Sequence, residues 1–436
     1  MNRSVLLLLA TTFLSPGGVA DVVSRGPWSG AITHESAVVV GKLDGPAQNV
    51  WLELSPQADF AAAQTFAPNT PAADQAPEIA RIELRGLKPD TVYYYRFCSA
   101  GNAMDEDDHR STGTFRTFPI PGSVASFKFA FSSCGRTGST HAVYRQIKAQ
   151  QPRVFLTIGD LHYEDIERDH REAFRSAYDS VLGSNSQREL YRSVPIVYTW
   201  DDHDFGPNGS DRHSPSRLAS LAIYREYVPH YPLEAPEPDG PIAQAFTLGR
   251  ARFIVLDCRS ARDAAGQPDD ADKTMLGSWQ KAWLQRELLA ANRKFPLIFI
   301  VSSVSWVSDE TSQRDNWGRF ATERAELSNW MVDQGITGVC FLSGDAHMLA
   351  ADDGRNNNYA RNGGPNFPAL QAAPLDRSGS IKGGPWSVAP VLPEPGEGQF
   401  GLVEVDDRGD KIHVLFRGLN QEGEEKLRLE FSVAGE

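Results

Sequence analysis

Between residues 28 and 117 the chain alternates between apolar and polar positions over short runs. These runs are rich in β-branched and aromatic residues and are separated by Pro, Gly and Asp; they cover 37–40, 50–54, 79–84 and 92–97. A period of two is typical of half-buried strands, and several short strands bounded by turn residues predict a β-sandwich. We therefore expect a small N-terminal β domain, followed by a linker at Pro119, Pro121 and Gly122.

Beyond the linker, apolar runs alternate with helix-like amphipathic stretches. The runs cover 127–132, 154–158, 194–199, 253–256, 297–302 and 338–342, and the stretches include 142–150, 278–289 and 322–333. This alternation predicts an α/β fold, with helices covering buried strands. Each apolar run ends in polar side chains. Because loops beyond the strand ends of such sheets converge on one crevice, the repeated polar residues predict a shared site.

Two Gly-rich stretches late in the chain predict long loops. They cover residues 354–368, which are also rich in Asn, and residues 383–386. Long loops of this kind often form the walls of active sites, so we expect them beside the shared site.

Composition narrows the functional classes. A chain of 436 residues exceeds the usual size of one hydrophobic core, which favours two domains. With 41% hydrophobic and 23% charged residues, the composition argues against disorder and against a fibrous chain. The net charge of −13, with no basic run, predicts no binding to nucleic acid. No run approaches about 20 apolar residues, so we do not expect an integral membrane protein.

The N-terminus has the features of a secretory signal peptide. Arg3 supplies the positive start, residues 5–14 an apolar stretch, and residues 18–20 a small-residue cleavage site. We therefore expect residues 1–20 to be removed and the protein to be exported, to the periplasm or the medium. An uncleaved membrane anchor is the alternative.

The predicted strand ends supply side chains that bind metal ions. In chain order they are Cys134, Asp160, Asp202, His203, Asp345 and His347. A bridging carboxylate with further carboxylate, imidazole, thiolate or phenolate donors can hold two cations about 3.5–4 Å apart, which clamps a phosphoryl group. Taken alone, Asp160 could equally be a helix N-cap. The recurrence at several strand ends favours a metal site.

Four cysteines are too few for a disulfide-stapled scaffold in a chain of this length. Cys258 and Cys340 lie in apolar runs, which is typical of small buried hydrophobic residues. Cys134 follows a predicted strand, and it is either a buried free thiol or a metal ligand.

Ordered motifs give the sequence a resemblance to a known family. They are Ser133-Cys134, the stretch from Gly159 to Glu164, Trp200-Asp201-Asp202-His203-Asp204, Leu256-Asp257-Cys258-Arg259, Gln280 with Trp283-Leu284, Asp315 to Phe320 with Glu323-Arg324, and Gly344-Asp345-Ala346-His347. In this order they resemble the alkaline phosphatase D (PhoD-like) branch of the metallophosphoesterase superfamily. The Trp-Asp-Asp-His block followed by Gly-Asp-x-His is the most specific of these motifs.

The resemblance implies a fold and a domain order. We expect an α/β protein with a metallophosphoesterase-like α/β sandwich as the catalytic domain, residues 124–436. A β-sandwich domain at residues 21–120 would precede it. Residues 87–96 resemble the corner and following strand of fibronectin type III domains, where a tyrosine braces the sheet edge.

The resemblance also implies a role for each site residue. Asp160 would bridge two metals; Asp202, Asp345 and His347 would be further ligands; Cys134 and Tyr163 would be thiolate and phenolate donors that favour a ferric ion. His203 would contact the phosphoryl group and protonate the leaving oxygen, supported by an acidic neighbour, Asp201 or Asp204. Structural alternatives are a rim aromatic for Tyr163 and a satisfied core histidine for His347.

The implied cofactors are two metal ions, Fe³⁺ and Ca²⁺. The N-terminus has only Arg3 where many relatives carry paired arginines, which indicates export in an unfolded state and metal loading outside the cytoplasm. Zn²⁺ and Mn²⁺ therefore remain alternatives, because supply decides among metals that the ligands accept.

Together these features predict an exported metal-dependent phosphoester hydrolase of the alkaline phosphatase type. A metal-activated hydroxide would be the nucleophile and His203 the general acid. The expected partner is a phosphate ester, and we expect a monomer. A phosphodiesterase or phospholipase acting at the same site is one alternative, and a catalytically inactive surface-binding protein is another. Arg259, Asp315 and Trp317 are expected to be structural, whereas His162 either faces solvent or contacts substrate.

Overall fold

The computed structural model describes residues 22–45, 50–69, 75–99, 111–312 and 314–435. The predicted signal peptide lies outside these residues. The strands, in chain order, are β1 (Val23–Gly30), β2 (Ser36–Leu43), β3 (Val50–Ser55), β4 (Gln64–Phe66), β5 (Ile79–Arg85), β6 (Val92–Ser99), β7 (Thr112–Arg116), β8 (Phe127–Ser132), β9 (Phe155–Ile158), β10 (Ile196–Thr199), β11 (Gln244–Leu248), β12 (Ala251–Val255), β13 (Leu297–Ser302), β14 (Val339–Ser343), β15 (Leu349–Asp352), β16 (Ala369–Ala372), β17 (Val388–Val391), β18 (Gln399–Asp407), β19 (Lys411–Asn420) and β20 (Glu425–Ala434).

Seven helices accompany the strands in the part of the chain that the structure describes. They are α1 (Ala142–Ala149), α2 (Arg171–Gly183), α3 (Asn185–Tyr191), α4 (Asp202–Phe205), α5 (Arg217–Tyr227), α6 (Gly277–Asn292) and α7 (Ala321–Asp333), and a 3₁₀ turn at Trp317–Phe320 precedes α7. Among these described helices, none has the length and apolar character needed to cross a bilayer.

Two large mixed sheets form the centre of the molecule. The first has the strand order β20-β19-β18-β8-β9-β10-β1-β2-β5, and the second has the order β11-β12-β13-β14-β16-β15-β17. Their inner faces share one hydrophobic core, in which the Phe129 ring meets the rings of Phe253 and Phe299 edge to face at 5.2 and 5.1 Å. Burial of large aromatic side chains between the sheets supplies much of the driving force for this packing.

Helices cover the outer face of each sheet. Residues of α1, α2, α3 and α5 form one core with the first sheet, and residues of α6 and α7 form another with the second. The result is a four-layer arrangement, helices on sheet on sheet on helices. The predicted α/β sandwich is therefore confirmed.

The N-terminal residues form the predicted β-sandwich. One of its layers is a four-stranded sheet with the order β4-β3-β6-β7, and the other consists of β1, β2 and β5. The Tyr93 hydroxyl accepts a hydrogen bond from the backbone N–H of Lys88 at 2.9 Å. This is the tyrosine brace that the resemblance to fibronectin type III domains implies.

One layer of the N-terminal sandwich continues the first large sheet. β1 pairs in parallel with β10 through Gly30 and Ile196. The indole Nε1 of Trp28, on β1, donates to the carbonyl of Tyr227 at 2.9 Å, under the helices of the α/β part. The division into domains at 21–120 and 124–436 stays a prediction. In the structure the two regions share the first large sheet, through the pairing of β1 with β10.

Parallel pairing brings the strand ends together. In the first sheet β8, β9 and β10 run parallel, and in the second β12, β13 and β14 do. Their carboxyl ends therefore lie at one edge of each sheet, and the two edges meet, which places the residues that follow these strands in one crevice.

Candidate metal centre

Three site residues lie two positions after a strand end and have left-handed backbone conformations. The φ angles are 61° at Cys134, 53° at Asp160 and 57° at Asp345. Residues with a side chain adopt this region at a cost of order 1–3 kcal/mol each, and such strain concentrates at functional sites. The chain thus turns sharply at three separate places around the same crevice.

Glycines let these turns approach one another. A Cβ on Gly159, whose φ is +90°, would lie 2.5 Å from the Cβ of Asp201, and one on Gly344 would collide with the carbonyl of Ile158. Only glycine avoids such overlap with neighbouring backbone and side chains. The Gly-Asp pairs of the sequence are therefore explained by packing as well as by chemistry.

The first donor group combines sulfur, oxygen and nitrogen. Ligand atoms of Cys134, Asp160 and His347 lie within 4.8 Å of one another. The Tyr163 hydroxyl donates to Asp160 Oδ2 at 2.7 Å and lies 3.3 Å from His347 Nε2. Four of the side chains predicted as metal ligands therefore meet, with the phenol of Tyr163 inside the group rather than at a rim.

The second donor group consists of carboxylates. Oxygen atoms of Asp160, Asp201, Asp202 and Asp345 lie within 4.8 Å of one another, and all four residues are buried. Each has one buried oxygen without a hydrogen-bond partner in the protein: Oδ1 of Asp160 and of Asp202, and Oδ2 of Asp201 and of Asp345. Buried polar atoms are normally satisfied, so this donor set fits bound cations. Asp160 belongs to both groups, as a bridging ligand requires.

The crowded acidic groups disfavour one another's charge. Burial, followed by the carboxylates of Asp202 and Asp201, raises the pKa of Asp160 well above its ordinary value. Burial and the nearby acids likewise raise the pKa of the Cys134 thiol and of the Tyr163 phenol. Bound cations reverse this balance, because they favour the deprotonated donor. The site is therefore electrostatically suited to metal ions.

The imidazole of His347 is neutral, and a hydrogen bond fixes its orientation. Burial lowers its pKa to about 4, so the ring carries no charge near neutral pH. Its Nδ1–H donates to the carbonyl of Ser378 at 2.6 Å, which leaves the lone pair of Nε2 directed to the site. A neutral imidazole fixed through its second nitrogen is the usual form of a histidine metal ligand.

His203 has an acidic partner, but not the one predicted. Its Nδ1 lies 2.7 Å from Asp165 Oδ1, and its ring packs against that of Tyr163 at an angle of 34°, with centroids 4.1 Å apart. The prediction of Asp201 or Asp204 was wrong because these carboxylates have other partners. Asp201 accepts from Arg259, and Asp204 accepts from the Tyr198 hydroxyl and from backbone N–H groups around α4.

Arg259, Asp315 and Trp317 have the structural roles predicted for them. Arg259 is fully buried and pairs with Asp201 at 2.6 Å and with Asp315 at 2.7 Å. Its guanidinium also lies 3.7 Å from Asp202 and, despite the penalty of burial, lowers the pKa of that carboxyl. The Trp317 indole is buried and donates to Ser302 Oγ at 3.1 Å.

His162 does not face solvent. It is fully buried, its ring lies against Phe174 and Tyr178, and burial lowers its pKa to about 3. The solvent-facing alternative is therefore wrong. All four cysteines are free and buried, including Cys258 and Cys340, as predicted for small apolar residues.

Residues 376–384, here called the cover segment, lie across the donor groups. The Arg377 guanidinium stacks on the Tyr163 ring at 4.0 Å, Ser378 holds His347, and Lys382 Nζ donates to Asp345 Oδ1 at 2.5 Å. Burial lowers the pKa of Lys382, but the Asp345 carboxylate outweighs it and raises that pKa above the usual lysine value. The contacts of Arg377, Ser378 and Lys382 with the donor groups were not expected from the sequence.

A cavity of about 580 Å³ opens beside the cover segment. Its lining includes Arg136, Thr137, His141, Arg377 and Glu394. From the late part of the chain the lining consists of residues 376–379 and 393–397, so the predicted wall at 383–386 lies outside it. The other Gly-rich loop, 354–368, has its recorded contacts elsewhere: Asn357 Oδ1 accepts from the Trp306 indole, and Arg324 stacks on Tyr359.

Comparisons with known proteins agree with this geometry. The family model described as PhoD-like phosphatase matches residues 129–382, and that of the PhoD-like phosphatase N-terminal domain matches residues 15–119. Alkaline phosphatase D of Bacillus subtilis (strain 168) is 26% identical over 319 residues, covering 62% of this chain and 54% of that protein. Purple acid phosphatase 23 of Arabidopsis thaliana is 23% identical, covering 57% and 53%. The chain spans about half the length of the curated relatives it matches.

Solved structures share the fold. A structure of PhoD superimposes with a TM-score of 0.74 at 18% identity, covering 96% of this chain and 91% of that one. Purple acid phosphatase PPD1 from yellow lupin (Lupinus luteus) seeds gives a TM-score of 0.64 at 13% identity, covering 95% and 75%. Since a family model matches more than half of the residues and the predicted motifs meet in one crevice, the chain belongs to the PhoD-like phosphatase family.

Proposed function

We propose that this protein is an exported, metal-dependent phosphoester hydrolase with a dinuclear metal centre. The observation that carries the proposal is the position of Asp160, whose carboxylate belongs to both donor groups and has a buried, unpartnered oxygen. Buried acids of this kind, clustered in a crevice with a thiol, a phenol and an imidazole, are typical of sites that hold two cations.

The two donor groups assign ligands to each cation. Cys134, Tyr163 and His347 would hold one ion, Asp202 and Asp345 the other, and Asp160 would bridge them. Asp201 is an additional candidate for the second ion, since its Oδ2 is buried and unpartnered. When bound, such ions lower the pKa of water and neutralise charge on the phosphoryl oxygens. Thiolate and phenolate donors support a ferric ion beside Ca²⁺, with Zn²⁺ and Mn²⁺ as the alternatives.

His203 is the residue we propose as proton donor. Asp165 holds its Nδ1, and the ring also packs against the ring of Tyr163. With Nδ1–H engaged, Nε2 is the atom that gives a proton to the departing alkoxide.

A direct assay tests the proposed activity. We expect the protein to contain two metal ions when it is purified in buffer that contains the divalent cation, and to hydrolyse p-nitrophenyl phosphate. Chelation with EDTA should lower turnover by at least about 100-fold, because the cations supply several kcal/mol of charge stabilisation, and readdition of the ions should restore it. The same assay with bis(p-nitrophenyl) phosphate decides between a monoesterase and a diesterase or phospholipase. Two bound ions with no turnover of either ester would instead favour a surface-binding protein.

Replacing Asp165 tests how the proton donor is held. We expect Asp165→Asn to lower kcat for an alkyl phosphate by about 10- to 100-fold, less than loss of the general acid itself, because the imidazole stays but is no longer held by its carboxylate partner. The loss should be smaller for p-nitrophenyl phosphate, whose leaving group departs without a proton. Metal content, measured by elemental analysis, should stay at two ions. An equal loss of kcat on both esters would mean that Asp165 has only a packing role.

Export and the domain limits are parts of the same proposal. Export is supported by the signal-like pattern of residues 1–20, and the limits 21–120 and 124–436 by the change of periodicity at the linker. Sequencing the N-terminus of the protein recovered from outside the cytoplasm would test the predicted start at Asp21.

A further inference from the structure

Lys382 places a positive charge inside the second donor group. Its Nζ lies 2.5 Å from Asp345 Oδ1, and the Lys382 side chain is 21% exposed. A lysine ammonium is positively charged at neutral pH. The Arg259 guanidinium is a second positive charge at these carboxylates, 2.6 Å from Asp201 Oδ1 and 3.7 Å from Asp202 Oδ1.

The two oxygens of Asp345 have different surroundings. Oδ1 accepts from Lys382, whereas Oδ2 is buried and unpartnered. Asp345 is also among the four carboxylates whose oxygens lie within 4.8 Å of one another. A metal ion bound to Oδ2 and the ammonium bound to Oδ1 would therefore share one carboxylate, and two positive charges this close repel each other.

The backbone holds Lys382 in this position. Gly384 N–H donates to the carbonyl of Val307 at 2.8 Å, and Ser380 N–H donates to that of His347 at 3.0 Å. Gly383 has a φ of +78°, and a Cβ on it would lie 2.6 Å from Val307 O, so the chain passes too close to Val307 for a larger residue. Backbone hydrogen bonds at Ser380 and Gly384 thus anchor the chain before and after Lys382.

We propose that Lys382 is a built-in cation of the metal centre, whose ammonium neutralises Asp345 and sets a low affinity of the second position for its divalent ion. The proposal rests on the dinuclear centre of the proposed function but not on hydrolysis itself. Its consequence is that the second ion is exchangeable: it binds when the divalent cation is abundant and leaves when it is scarce, whereas the position with thiolate, phenolate and imidazole donors keeps its ion.

Metal titration of the full-length protein tests the proposal. Protein stripped with a chelator is titrated with Mn²⁺ alone by calorimetry, in the wild type and in Lys382→Met. We expect the substitution to raise the affinity for the second Mn²⁺ by at least about tenfold, because it removes a like charge that shares a carboxylate with the ion. The increase in Tm on adding Mn²⁺ should be larger in the variant for the same reason.

Matched variants separate charge from packing. Lys382→Gln should behave like Lys382→Met, and it keeps the test valid if methionine does not fold. Lys382→Arg keeps the charge and should retain the wild-type affinity. Lys281→Met, which removes a lysine paired with Glu326 on the helical surface, should change nothing.

Two results would overturn the proposal. One is an unchanged or weaker second affinity in both neutral variants, which would make Lys382 a support for Asp345 rather than a competitor of the ion. The other is a single bound ion in every variant. Absence of ester hydrolysis by the wild type with both ions bound would contradict the proposed function alone, since the titration does not depend on turnover.

Discussion

Asp160→Asn should abolish both metal binding and hydrolysis. The variant loses the carboxylate common to both donor groups, and a neutral amide is a much poorer ligand for a hard cation. We expect kcat for p-nitrophenyl phosphate to fall by on the order of 10³ or more, since every 1.36 kcal/mol of lost transition-state stabilisation lowers the rate tenfold. Elemental analysis should find fewer than two ions per chain.

The same variant should fold at least as stably as the metal-free wild type. The pKa of Asp160 is raised in the folded protein, so ionising this group disfavours the folded state once the pH exceeds the ordinary range of a carboxyl. Asparagine removes that destabilisation, and the Tm measured without metal at neutral pH should not fall. Asp353→Asn, at an exposed carboxylate paired with Arg355, is the control and should keep full activity. An Asp160→Asn enzyme that retained activity would exclude the bridging role.

His203→Ala should remove the proton donor and leave the metal ions in place. Loss of a general acid lowers kcat by about 10²- to 10⁴-fold. The loss should be small for p-nitrophenyl phosphate, whose leaving group departs without a proton, and large for an alkyl phosphate. Steady-state kinetics with both esters, together with elemental analysis, measure the two effects.

The ligand set offers a competing role for His203, since one of its ring nitrogens lies within 4.8 Å of ligand oxygens of Asp160 and Asp202. If His203 binds metal, the alanine variant should lose an ion and lose activity equally on both esters. His413→Ala, which removes a histidine paired with Glu430 on the surface strands β19 and β20, controls for a general effect of the substitution.

Strand positions and the main donors were predictable from sequence. The apolar runs at 127–132 and 297–302 coincide with β8 and β13, and the run at 154–158 overlaps β9. Buried parallel strands have a strong apolar signal, and the polar residue that ends each run marks the crevice. Knowing only the strand ends was therefore enough to bring Cys134, Asp160 and His347 together, although their proposed roles still await experiment.

Partners contributed by loops were not predictable in the same way. Proximity in the sequence favoured Asp201 or Asp204 as the partner of His203. In the structure both carboxylates cap the N-terminus of α4, and Asp201 also pairs with Arg259. Asp165 reaches His203 from the loop after β9, 38 residues away in sequence. Lys382 follows Asp345 by 37 residues and lies in a segment without periodicity. Side chains on irregular segments carry no pattern from which a contact could be inferred.

The parallel pairing of β1 with β10 bears on how the N-terminal region could be removed. A truncated chain starting near residue 120 would lack β1, which pairs with β10 at Gly30 and Ile196. The contact there is close, because a side chain at position 30 would collide with the backbone of Ile196 and Pro229. Without β1, β10 would become an edge strand with unpaired main-chain groups. Loss of the Trp28 indole would also expose to solvent the helix residues that pack on it, including Tyr227. Exposed edge strands pair with strands of other molecules and so promote aggregation. The N-terminal sandwich thus covers the edge of β10 and protects the first sheet, so we do not expect the α/β part to tolerate its removal.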